Sequence, residues 1–158
     1  MNPFVRPSIE SDCDYIADNI RKADQRECDL WELHPKDSMS MGFRYSLQPL
    51  TVVDRNGNPA AMFGVTQTDA PGFDKNSDAT IWLLGTDELF TFPVEFVRQS
   101  SMWIDHICRP LAAKHGHVGN WVDERNTKHV DWLIWVGFVK TSSSTKGDTT
   151  ISYYRKAI

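Results

Sequence analysis

Toward its C-terminal end the chain reads "WVDERNTKHVDWLIWVGFVK", residues 121–140. The stretch places an imidazole, His129, within a few residues of two carboxylates, Asp123 and Glu124. An imidazole titrates near neutrality and can take a proton from an amine, and a carboxylate can do so when its surroundings raise its proton affinity. The set therefore suits general-base chemistry. Each member also has a plainer use: His129 as a hydrogen-bonded core histidine, Asp123 and Glu124 as solvated loop acids, and Asn126 as a helix N-cap. His106, His115 and His117 invite a metal reading. Two of them flank a glycine in a turn, however, and no fourth ligand has suitable spacing, so no metal is expected.

A chain of 158 residues, 41% apolar and 24% charged, is read as one globular domain spanning 1–158. The net charge of −4 provides no basic field, which argues against nucleic acid as a ligand. No apolar run approaches the ~20 residues of a membrane span, and the N-terminus lacks a signal-peptide pattern. The expected location is the cytoplasm, with virion association left open. Three cysteines without a CxxC spacing suggest buried, reduced thiols.

The elements that must position these residues follow from periodicity. "FVRP" reads as a strand and residues 8–31 as one helix capped by Ser8 or Ser11. A short helix fits near Met39 to Leu47. Two β-rich runs flank "DRNGN", where Asn56 and Gly57 supply the positive φ of a tight hairpin. "ATIWLLGT" is a near-continuous apolar run, as expected of a strand covered on both faces. From Pro93 a helix follows, ended early by Pro110, with Gly116 as its C-cap. "HVGNWVDE" is a strand, "NTKHVDWLIWVG" a helix capped by Gly137, and "FVKT" and "ISYYRKAI" a closing strand pair around a polar loop, "SSSTKGD". Most tryptophans are expected in the core, with Trp31 or Trp135 the more exposed contacts.

That order, with "VRPSIESDCDYIA" at the front and an Asn–helix–Gly-Phe unit near the end (Asn126, Gly137, Phe138), resembles the GNAT superfamily of N-acetyltransferases. The resemblance implies an α/β fold: a single domain with a mixed, mostly antiparallel sheet of about six to seven strands and three to four helices. It also implies acetyl-CoA as donor, with the oxyanion held by β4 backbone near Leu84 and Gly85, Asn126 nearby, and a base among Asp123, Glu124 and His129. Two features depart from the family. The position of its catalytic tyrosine is Leu133, which has no proton to give unless Tyr153, Tyr154 or a water replaces it. The glycine-rich pyrophosphate loop corresponds to "GTDELFTFPVEFVRQ", whose only glycine is Gly85, with Asp87 and Glu88 close behind it and Pro93 at the helix start.

The run N-T-x-H-x-x-x-L-x-x-x-G is similar to small GNAT-like internal virion or head morphogenesis proteins of T7-like bacteriophages. From this follows the expectation of a non-catalytic or weakly catalytic protein that needs no cofactor. It would act through contacts with a phage or host protein in virion assembly, with self-association open. An active acetyl-CoA-dependent N-acetyltransferase on an unknown amine is the alternative, and an inhibitor of a host protein the third. A cleft filled by Phe90, Phe92 and Trp side chains would mean no coenzyme.

Overall fold

The structure is a computed structural model that describes residues 4–67, 78–91 and 93–158. The strands are β1 Val5–Pro7, β2 Leu50–Val53, β3 Pro59–Thr66, β4 Ala79–Gly85, β5 His117–Asp123, β6 Val139–Lys146 and β7 Thr149–Ala157. The α-helices are α1 Glu10–Asp18, α2 Lys22–Leu30, α3 Pro35–Tyr45, α4 Pro93–Cys108 and α5 Thr127–Trp135. The seven strands form one sheet in the order β1-β2-β3-β4-β5-β7-β6. Every neighbouring pair is antiparallel except β4 and β5. This is the α/β fold expected, a mixed and mostly antiparallel sheet covered on both faces.

Several local readings are corrected. The single helix expected over residues 8–31 is two, because the chain between them is drawn into the sheet: Ile20 bridges Thr86, and the Arg21 N–H donates to the Gly85 carbonyl at 3.0 Å. Neither serine caps α1. Ile9 holds the N-cap position, and the Asp12 carboxylate accepts its N–H at 3.0 Å. Asp12 also takes both arms of Arg6 at 2.8 Å and the Thr51 hydroxyl at 2.8 Å, pinning α1 to β1 and β2. Burial alone would push its carboxyl up, but these donors hold it below the usual range.

The β2–β3 turn has positive φ at Gly57 alone (83°). Asn56 and Asn58 instead donate their N–H groups to Asp54 Oδ1 at 2.8 and 2.9 Å, an Asx-type turn. α4 ends at Cys108 and passes into a 3-10 turn, Arg109–Leu111, as Pro110 requires, so Gly116 caps no helix. Gly137, at φ 101°, does terminate the last helical segment.

The supposed polar loop is strand. β6 continues through Ser142, Ser143, Ser144 and Thr145, and the turn falls at Gly147, φ 59°. A polar sequence hides a strand here because β6 is a sheet edge and almost wholly exposed, so nothing selects for apolar alternation.

The pleat sends alternate residues of β3 and β4 to opposite faces. Phe63, Ile81 and Leu83 join Phe96, Ile104, Trp132 and Leu133 in the main core with α4 and α5. Met62, Trp82 and Leu84 turn to the other face, toward Cys13, Ile16 and Met39 of α1 and α3. β4 is therefore not equally buried on both sides: Thr80, Trp82 and Leu84 are only half-buried.

Gly42 of α3 sits directly against the Trp82 indole, and a Cβ there would lie 2.6 Å from the ring. The ring is held by its Nε1–H donating to Ser46 Oγ at 2.8 Å, so it cannot simply swing away. Gly42→Ala is expected to lower stability by about 1–3 kcal/mol in urea denaturation, an overpacking cost. An unchanged midpoint would contradict this packing.

Candidate functional site

β4 and β5 pair only at Ala79 with Val118 and Thr80 with Gly119; beyond that the parallel strands part. Backbone alternation decides what faces the split. The Thr86 N–H donates to the Ala60 carbonyl in β3, so Trp82 and Leu84 also direct their backbone polar groups to β3, and Ile81, Leu83 and Gly85 direct theirs into the split.

Two of those three positions are taken up by the chain itself. The Ile81 carbonyl accepts from Asn120 Nδ2 at 2.8 Å. The Gly85 N–H donates to Asp24 Oδ2 at 2.9 Å, and the Gly85 carbonyl accepts the Arg21 N–H at 3.0 Å.

The start of α2 thus fills the far end of the split with a charged cluster. Arg21 donates to Asp24 at 2.8 and 3.1 Å and to Asn126 Oδ1. Asn126 Nδ2 donates to Asp24 at 3.0 Å and to Glu27 Oε1 at 3.2 Å, and the Asp123 N–H reaches the same Glu27 oxygen at 3.3 Å. Arg21, Asp24 and Asn126 are 7%, 2% and 1% exposed. Burial pushes the Asp24 carboxyl up, against the opposing pull of Arg21.

A cavity of about 620 Å³ opens beside this cluster, on the α1 and α3 side of the sheet. Its walls include Trp31, Trp82, Trp121, Tyr153 and Leu83, with Glu27 and His129 at its inner end. His129 belongs to α5, whose other buried residues pack on the opposite face, so its ring reaches the cavity where β4 and β5 part. The residue is 4% exposed, and among the described residues neither ring nitrogen has a hydrogen-bond partner; Glu27 Oε1 lies 3.9 Å from Nδ1.

On the far side of the split, the interval between α4 and α5 is packed. Phe96 and Trp132 stack with centroids 6.1 Å apart, and Phe63 meets both edge-on. Trp132 Nε1 donates to Ser100 Oγ at 3.0 Å and Trp135 Nε1 to the Val97 carbonyl at 2.9 Å, tying the helices together. The filling aromatics are thus Phe96 and Trp132; Phe92 and the Phe90 side chain, named from the sequence, lie outside what is described.

The sequence-predicted residues fall out as follows. His129 lies in the cavity. Asp123 is 1% exposed and gripped by Arg125 at 2.7–3.1 Å; burial would push its carboxyl up, but Arg125 holds it low, the wrong direction for a base. Glu124 sits apart from the cavity, bonded to Lys140 and the Tyr154 hydroxyl at 3.1 Å each; burial would raise its carboxyl, and donors from Ser152, Lys140 and Tyr154 hold it low.

Asn126 occupies the N-cap position of α5 without a side-chain cap bond; its amide is spent on the buried cluster. Leu84 directs its N–H to β3, and the Gly85 N–H is engaged by Asp24. Leu133 is fully buried in the core. Of the substitute acids, burial pushes the Tyr154 hydroxyl up to about 12 while it donates to Glu124, and burial and Asp78 push Tyr153 higher still. Tyr153 does line the cavity and donates to Asp78 at 2.9 Å.

Among the tryptophans Trp132 alone is buried; Trp31 and Trp135 are exposed, and Trp82, Trp103 and Trp121 are half-buried. No group of residues suited to a metal ion occurs among the described residues. No helix of the described chain is long and apolar enough to cross a membrane.

Sequence reasoning missed Arg21, Asp24 and Glu27. Their spacing of three was the available signal: it puts three charges on one helical stripe, next to the apolar residues used to assign the core face.

The backbone directly after β4 offers no free cradle for a pyrophosphate between Gly85 and Leu89 apart from Asp87. A pyrophosphate needs free N–H groups converging after β4, but the N–H groups of Gly85, Thr86, Glu88 and Leu89 are engaged by Asp24, the Ala60 carbonyl, Thr86 Oγ1 and the Thr86 carbonyl. Asp87 and Glu88 are exposed acids at the same place.

No protein-family model matches the sequence, and no curated protein matches it. Solved structures do match in shape. The aminoglycoside acetyltransferase AAC(6')-Ib in complex with coenzyme A superposes at TM-score 0.65 and 12% identity, over 98% of this chain and 94% of that one. The same enzyme with ribostamycin and coenzyme A gives 0.66 at 12%, over 98% and 92%. A GNAT-family acetyltransferase from Bacillus anthracis gives 0.66 at 8%, over 97% and 93%. The fold is the GNAT acetyltransferase fold, and at this identity the likeness extends to the fold alone.

Asn126→Ala removes one acceptor from buried Arg21, one donor from buried Asp24 and one from half-buried Glu27. It is expected to cost about 2–4 kcal/mol in urea denaturation, as for a broken buried charge network. A loss within about 0.5 kcal/mol, typical of a surface change, would contradict the cluster.

Proposed function

We propose that this chain keeps the acceptor half of an N-acetyltransferase, a cavity that binds a ligand, while its donor half is closed, so that it acts by binding and transfers acetyl groups weakly or not at all. One observation carries the reading: both backbone groups of Gly85, at the end of β4, are claimed by the chain's own Arg21 and Asp24. A thioester approaching along the split would have to break that buried ion pair. The Phe96–Trp132 stack on the other face supports the same conclusion. In keeping with the phage-protein resemblance, the proposed setting is contact with a phage or host protein during virion assembly. Exposed Ile134, Trp135 and Val139 offer apolar surface for it.

A second reading, an active acetyl-CoA-dependent N-acetyltransferase, is favoured by the solved neighbours and by the unpartnered His129 ring beside Glu27. In that case His129 takes the proton of an amine in the cavity, and Glu27, 3.9 Å away, steadies the imidazolium.

The two readings part on one measurement. Acetyl-CoA at about millimolar concentration is expected to move the melting temperature by less than ~1 °C, since a ligand that barely binds adds almost no stability. A rise of several degrees, together with turnover of any amine that His129→Ala abolishes, would establish the transferase instead.

A further inference from the structure

The cavity's composition is lopsided. Among the described residues that line it are two carboxylates, Glu27 and Asp78, and four aromatic rings, Trp31, Trp82, Trp121 and Tyr153, but no lysine or arginine. Asp78 is neutralised from outside by Arg155 at 2.8 and 3.0 Å. Glu27 has no such partner: its Oε1 accepts from Asn126 and the Asp123 N–H, and among the described residues nothing hydrogen-bonds Oε2. His129 lies beyond it, its buried ring nitrogens unpartnered.

One wall ring already receives a cation at the rim, where Lys146 Nζ lies 5.0 Å from the Trp31 ring centre. Aromatic faces attract cations, the more so when desolvated, and a carboxylate in the same enclosure adds to that attraction.

We infer that the cavity is a binding site for an organic cation with an apolar body, an aryl or alkyl ammonium, quaternary ones included. The ammonium group lies toward Glu27, and the apolar body lies among the tryptophans and Tyr153. A quaternary ammonium has no proton to lose and cannot be acetylated, so this is a site of recognition whether or not any transfer follows. The inference rests on the reading of this cavity as the ligand site.

The test uses the full chain at neutral pH with two probes of nearly equal shape, phenyltrimethylammonium and the neutral N,N-dimethylaniline, by isothermal titration. The cation is expected to bind at least about tenfold tighter, the scale of a desolvated cation–π contact plus a charge partner. Glu27→Gln is expected to remove most of that preference. Because Glu27 also holds Asn126, Trp31→Ala at the exposed rim serves as a second variant, expected to weaken the cation about threefold or more while the neutral probe changes less. Equal affinities for the two probes, or a preference that survives both substitutions, would overturn the cation inference while leaving the cavity a ligand site. If neither probe binds at about millimolar concentration, both readings fall.

Discussion

A charge removed from water must be paired or it is prohibitively costly, and Arg21, Asp24 and Asn126 are almost completely buried at the end of the β4–β5 split. Their arrangement is over-determined: Asp24 accepts from the Arg21 side chain, the Gly85 backbone and Asn126, whose carbonyl oxygen receives Arg21 in return. The break between α1 and α2, the anchoring of α2 in the split and the start of α5 depend on that one set of bonds. So does the position of Glu27, three residues along α2 from Asp24, which forms the polar inner end of the cavity.

β4 and β5 part beyond Thr80 and Gly119, so the β4 backbone groups that face the gap need other partners. The Ile81 carbonyl is taken by Asn120, and both backbone groups of Gly85 by the Arg21–Asp24 segment. What stays accessible is the side of the split toward α1 and α3, where tryptophans, Glu27 and His129 meet. Under the proposed function, the acidic segment after β4 and the Phe96–Trp132 stack belong to the closed donor side.

The fold was legible in the sequence where local signals and tertiary packing agree: the apolar β4 run, the Gly57 hairpin, Pro110 as a helix stop and Gly137 as a cap. It was not legible where tertiary contacts overrule local ones. Residues 19–21 leave a helical pattern because Gly85 offers backbone partners that no local window contains. β6 runs through serines because an exposed edge imposes no apolar alternation.

The site was half legible. Leu133 at the tyrosine position and the single glycine after β4 were visible in the sequence, and His129 was singled out as a candidate. Asn126 does hold the N-cap position, but its side chain goes to a partner 105 residues away that nothing local reveals. The acids singled out with His129, Asp123 and Glu124, are committed to Arg125 and Lys140, whereas the carboxylate 3.9 Å from its ring, Glu27, comes from α2.

The claim that the donor side is closed by the chain's own residues is tested most directly at the Gly85 amide. In a ¹⁵N-labelled sample titrated with acetyl-CoA, the account predicts that the Gly85 resonance stays in place and its hydrogen exchange stays slow, because Asp24 retains the N–H. A saturable shift of Gly85 and Leu83, with loss of Gly85 protection, would contradict it and show the coenzyme displacing Arg21 and Asp24 from the split.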